Sequence, residues 1–188
     1  MANMSSVAYA IEGPQKNLEK ILEAICLAVA DNKGHWEEWQ ACINLGFTEQ
    51  ELGNKRLGGE ISEDPDIVDG ALRFWAEERW GLQEFEELLR QKFPDIKAYW
   101  VVQEEGCEVF CTNDREGKYF PERYWVDTAQ DDIYQSEYFI TEEAMYEWLN
   151  EKYGVKTKEE VDAWNQDYEA TGDDCENFIY IHEFEIVE

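Results

Sequence analysis

Apolar and polar residues change rhythm several times along the chain, and each change marks an element. Residues 5–12 alternate, with Val7, Tyr9 and Ile11 on one side and the small Ala8 and Ala10 on the other, the period of a strand. Gly13-Pro14 breaks it, and the proline suits a first helical turn. Leu18, Ile21, Leu22, Ile25, Ala28 and Val29 then recur at the spacing of an amphipathic helix over 14–31, closed by Asn32-Lys33-Gly34. A second helix is expected over 35–46, with Trp36, Trp39 and Ile43 on one face and Gly46 as its stop. Thr48 and Glu51 have capping-box spacing and Phe47 can staple onto Leu52, although Gly53 limits that helix to a turn or two. From Leu57 to Asp69, glycines, Pro65 and dense acids predict a short strand or irregular loop.

The stretch from Gly70 to Val126 predicts the unit around which the rest is organised. Leu72, Phe74 and Ala76 alternate with Arg73, Trp75 and Glu77, and bulky groups on both faces place this strand inside the sheet. Leu82, Phe85, Leu88 and Leu89 stripe a helix that Pro94 ends. Residues 96–103 follow as a strand, Glu104-Glu105-Gly106 as a hairpin turn, and 107–112 as the returning strand with Cys107, Val109 and Cys111 on one face. Residues 118–126 are expected as a third strand, interrupted by Pro121, which suits an edge or a bulge.

Beyond it, 127–132 is expected as an acidic loop and 133–140 as one more strand. Thr141 caps a helix with Met145, Trp148 and Leu149 inward, stopped by Gly154. Thr157 and Glu160 cap another, with Val161, Trp164 and Tyr168 inward. After a loop at 171–177 the chain closes as a strand over 178–187, with Phe178, Tyr180, His182, Phe184 and Ile186 on one side. Adjacent strands joined by tight turns imply an α+β fold, a mainly antiparallel sheet with helices packed largely on one face. A single domain over 1–188 is expected, with a core over about 5–126 and an acidic C-terminal extension over about 127–188 packed on it.

Leu72-x-Phe74, Trp80, Phe85-x-x-Leu88, Phe93-Pro94-x-Ile96 and Glu104-Glu105-Gly106 resemble the YubB-type ferredoxin-like family, bacterial proteins with no established activity. The resemblance covers about a third of the chain. It departs at Trp80, followed here by Gly81-Leu82 where the family often has a proline pair, and the acidic C-terminal third has no counterpart. It implies a ferredoxin-like core and carries over no catalytic residue.

Charge narrows the partners. The formal net charge is -28, while 44% hydrophobic and 14% aromatic residues exclude a disordered acidic tail. The charge is concentrated late: residues 127–188 carry about -16, with Lys152, Lys156 and Lys158 as the only Lys or Arg. Such a surface repels phosphate backbones and anionic lipid headgroups, so neither nucleic acid nor a membrane is expected as a direct partner, and a basic protein is. Solubility alone is the other reason a chain carries such charge. MANMSSVAYAIEG has no basic region followed by an apolar core, and the five cysteines form no framework, so a cytoplasmic setting with reduced thiols is expected.

Reactive residues are sparse. His35 is expected as a cap or surface residue and His182 as a partly buried strand residue, neither beside a recognised nucleophile. Cys107 and Cys111, on one straight strand, would stand about 13 Å apart, too far to share a zinc ion. Asp64, Asp66, Asp69 and Gly70 outline a calcium loop, but Pro65 and Ile67 interrupt it and no terminal Glu follows. No cofactor is expected. The expectation is a non-enzymatic protein-binding module whose acidic surface, Asp127, Asp131, Asp132, Glu142, Glu143 and Glu147, meets a basic partner. Two other readings stand beside it: a nucleic-acid mimic, with these carboxylates and Glu151 spaced like phosphates, and a carboxylate enzyme needing a divalent cation.

Overall fold

The alternation near the N-terminus becomes a strand paired along both edges. The computed structural model describes residues 4–31, 36–62, 64–79, 81–82, 84–171 and 176–187. The chain divides into two compact units, Met1–Arg115 with Val187–Glu188, and Glu116–Ile186. The boundary between the two units falls after Arg115.

In the first unit the order is β1 (Met4–Glu12), α1 (Gln15–Asp31), α2 (Glu37–Asn44), α3 (Glu49–Leu52), β2 (Glu60–Ile61), β3 (Asp66–Val68), β4 (Ala71–Arg79), α4 (Phe85–Lys92), β5 (Lys97–Glu104) and β6 (Val109–Thr112). β1 lies between β4 and β5, antiparallel to both. The outer edge of β4 is shared by two short pieces, β2 and β3, and β6 pairs with β5. Val7, Tyr9 and Ile11 join Leu72, Phe74 and Ala76 of β4 and Ala98, Trp100 and Val102 of β5 in one core with Leu18, Ile21 and Ile25 of α1 and Phe85, Leu88 and Leu89 of α4. The period-2 and period-3.6 stripes of the sequence meet there. Thr48 and Glu51 make the reciprocal capping bonds the spacing predicts. Asp69 and Gly70, both at positive φ, form the two-residue turn joining β3 to β4, so the calcium-like outline is a hairpin.

In the second unit β7 (Tyr124–Gln130) is the middle strand, flanked antiparallel by β8 (Ile133–Phe139) and β9 (Phe178–Glu183). α5 (Glu142–Tyr153) and α6 (Lys158–Thr171) come between β8 and β9 in the chain. Val126, Ile179, Met145, Leu149 and Val161 form its core, with Trp148 and Trp164 packed against it. Thr141 caps α5, and Gly154, in the left-handed region at φ 75°, ends it.

Several expectations are corrected. No strand starts at Lys118. The ladder begins at Tyr124, beyond Pro121, which cannot donate to it, and runs through Asp127 to Gln130. Four of the six residues of the expected acidic loop, 127–130, are therefore strand. Its turn is Asp131-Asp132, both at positive φ, a geometry short polar side chains tolerate. Cys107 lies in a 3-10 turn before β6, not on the strand with Cys111. In α2 the fully buried positions are Glu38, Ala41 and Cys42; Trp39 and Ile43 of the expected stripe are half-buried and pack against the same core, while Trp36 precedes the helix. The closing strand breaks after Glu183, with Phe184 donating its N–H to the Arg123 carbonyl at 2.9 Å. The expected stop at 32–34, His35, Trp80, Cys175 and the side chain of Tyr168 lie outside the described residues.

Candidate functional site

The six carboxylates selected from the sequence do not share one surface. Asp127 is on β7, one residue after Val126, so the pleat turns it away from the face that α5 and α6 cover. Asp131 and Asp132 form the hairpin tip at one end of β8. Glu142 and Glu143 start α5 past the other end of β8, roughly 20 Å away at 3.3 Å per residue. Glu147 follows on the exposed side of α5, two residues after the buried Met145. Asp127 with the hairpin tip therefore forms one group, and the α5 carboxylates another.

The sheet face on which Asp127 lies carries more than charge. Register places Tyr138, Trp125 and His182 in one row across β8, β7 and β9; Ser136, Asp127 and Tyr180 in the next; and Tyr134, Ala129 and Phe178 in the third. Six of the nine positions are rings. Trp125 stacks on His182, centroids 5.0 Å apart, and Phe178 stacks on Tyr180 at 4.7 Å. Trp125 is buried, but Tyr134, Tyr138 and Tyr180 are 57%, 48% and 54% exposed, well beyond what a covered sheet face leaves open. Ser136 Oγ donates to Asp127 Oδ1 at 2.8 Å, holding that carboxylate among the three tyrosines. At the rim the Tyr134 hydroxyl donates to Glu176 Oε2 at 2.5 Å. That bond, with the negative charge of Glu176, Asp132 and Asp127, holds the phenol above its ordinary pKa. The opposite face is closed by the helices, and Asn165 fastens β9 there: its amide donates to the Ile179 carbonyl at 2.9 Å and accepts from the Ile179 N–H at 2.8 Å.

This face was partly legible. The alternation of Phe178, Tyr180 and His182 was, but Trp125, Asp127, Tyr134 and Tyr138 were divided among an assumed strand, a loop and another strand. Only the two-residue turn brings them into register. The first unit holds a group that the sequence concealed altogether. Glu38 of α2 and Glu78 of β4 are fully buried, and the Tyr9 hydroxyl donates to Glu78 Oε1. Glu38 Oε2 accepts the Gly59 N–H at 3.0 Å, and the Glu38 carboxyl also hydrogen-bonds with Glu78. Two carboxyls can bond to each other only across a proton. Burial first, then the charge of Glu78, holds Glu38 well above the ordinary carboxylate range, and the pair shares one proton. Nearby Glu86 is raised by burial, opposed by Arg90, whose Nε lies 2.5 Å from Glu86 Oε1.

The chemistry these groups support is limited. Burial and Glu38 push the Cys42 thiol up to about 12, so it stays protonated and is a poor nucleophile. Among the described residues no three His, Cys, Asp or Glu converge as a metal-holding group, and no helix is long and apolar enough to cross a membrane. No family model, curated protein or solved structure matches the chain.

Proposed function

We propose that the chain is a non-enzymatic protein-binding module of the bacterial cytoplasm, and that its acidic second unit takes a basic partner. The observation that carries this reading is the open aromatic face of the three-stranded sheet. It has three exposed tyrosines around one carboxylate, in a unit where 20 acids face five Lys or Arg. Aromatic side chains supply much of the energy at protein interfaces, and a one-sign field steers a partner of the opposite sign. Cys26 and Cys42 are free thiols, the state a reducing compartment maintains. We also assign the first unit to the ferredoxin-like class. The order β5-β1-β4 with β2 and β3 outermost, every neighbour antiparallel and α1 and α4 as crossovers, supports that assignment. The nucleic-acid mimic needs its carboxylates along one edge, and their placement on opposite faces of the second unit gives it no support.

The test is affinity capture on the immobilised full chain from a bacterial lysate, at about 0.05 M and about 0.5 M salt. Retention of a basic protein at the lower salt, released at the higher, is the expected result. No retained basic protein at low salt would overturn the reading. A melting midpoint raised by calcium, magnesium or manganese would favour the cation-dependent enzyme instead, since an ion that binds only the native form raises it.

A further inference from the structure

We infer that the open face of the β8-β7-β9 sheet binds an extended, arginine- or lysine-rich segment of the partner protein, with one cationic side chain seated on Asp127 among Tyr134, Tyr138 and Tyr180. This rests on the proposed basic-partner function and names the surface and the chemistry it recognises. Tyr180 lies directly across from Asp127, and Tyr134 and Tyr138 stand on its diagonals. Diagonal cross-strand neighbours are about 7–8 Å apart, which leaves room for one side chain between rings. A cation placed there lies among electron-rich rings and beside a carboxylate, the pairing used by aromatic cages for ammonium groups.

The chain's own cations already use ring faces: Lys152 Nζ lies 5.0 Å from the Trp148 ring centroid, and Arg79 lies 4.2 Å from that of Trp36. None of the nine positions of the open face is Lys or Arg, so its own register supplies no cation. Residues two apart in an extended segment lie about 6.6 Å apart, the spacing of successive rows on this face. Basic residues at alternate positions would reach Asp127 and then the rim of Asp131, Asp132 and Glu176. Flat aromatic sheet faces also stack nucleic-acid bases. Here a carboxylate sits at the centre and acids line the rim, which repels phosphates and favours the cationic peptide. The same charge opposes pairing with a second copy of the chain.

The experiment titrates the full chain with three short peptides, an Arg-Gly repeat, a Lys-Gly repeat and a Glu-Gly control, and maps amide shifts by NMR. Saturable binding of the Arg and Lys peptides is expected, with shifts confined to β7, β8 and β9 and none from the control. The triple variant Tyr134→Ser, Tyr138→Ser, Tyr180→Ser should weaken Arg-peptide binding about ten- to a hundredfold. Asp127→Asn should weaken it several-fold. These side chains are exposed or at the surface, and an unchanged β7 amide pattern checks that the variants fold. Tyr180→Ser alone is the milder substitute if the triple variant does not. Shifts centred on α5 carboxylates, or equal affinity in wild type and folded variants, would overturn the proposal. So would tyrosine-dependent binding of a single-stranded oligonucleotide, or concentration-dependent dimerisation lost in the triple variant. If a basic lysate protein is captured equally by wild type and triple variant, this surface is wrong while the binding function stands. If neither captures one, the function itself fails.

Discussion

Replacing Glu38 by glutamine should stabilise the first unit at neutral pH and flatten its pH dependence. In the wild type Glu38 is buried, accepts from the Gly59 N–H and holds a proton against Glu78. In the unfolded chain the same carboxyl titrates at about 4.3. A folded pKa above the unfolded one means the native state binds the extra proton. The resulting stability is complete below about pH 4.3 and is lost as pH rises towards the folded pKa, at about 1.4 kcal/mol per pH unit. Glutamine carries the equivalent of that proton permanently. Its carbonyl can take the place of Oε2 against the Gly59 N–H. Wild type and E38Q should therefore be alike near pH 4.5, with the variant gaining about 1.4 kcal/mol for each pH unit above about 5, until the wild-type carboxyl ionises. Native-state hydrogen exchange of β1 and β4 amides reads the stability of this unit. Parallel pH profiles for the two proteins would refute the shared proton. A less stable E38Q at every pH would show that the carboxyl pair does not have this geometry.

Three further outcomes are expected. Gly59→Ala would place its Cβ 2.6 Å from Glu38 Oε2, so urea denaturation should show a loss of about 1–3 kcal/mol, smaller in the E38A background, where the clashing carboxyl is gone. Asn165→Ala removes both side-chain bonds to the Ile179 backbone and should cost the second unit about 1–3 kcal/mol, read as faster exchange of the Ile179 amide. Near pH 8 the exposed Cys26 should react readily with a disulfide reagent. Cys42, fully buried and pushed up to about 12, should react only on unfolding, and mass spectrometry of the labelled peptides tells them apart.

The sequence by itself determined the local elements wherever the hydrophobic period was clean or a cap was present. The strand around Tyr9, the stripe from Leu18 to Ile25, the capping pair Thr48 and Glu51, and the Thr141 and Gly154 ends of α5 are all written in near neighbours. It also determined the sign and the skew of the charge. Tertiary structure decided what depends on residues far apart in the chain. Asp127 belongs to a strand because β7 pairs on one side with β8 across the Asp131-Asp132 turn and on the other with β9, more than 50 residues later, through Asp127 and Tyr180. Which tyrosines surround that carboxylate followed from the same register. That Glu38, polar and in a run of acids, is buried could not be read from a pattern that sends charges outward. The Gly59 N–H, Glu78 and a retained proton make burial tolerable, and only the packing of α2 against β2 and β4 brings them together.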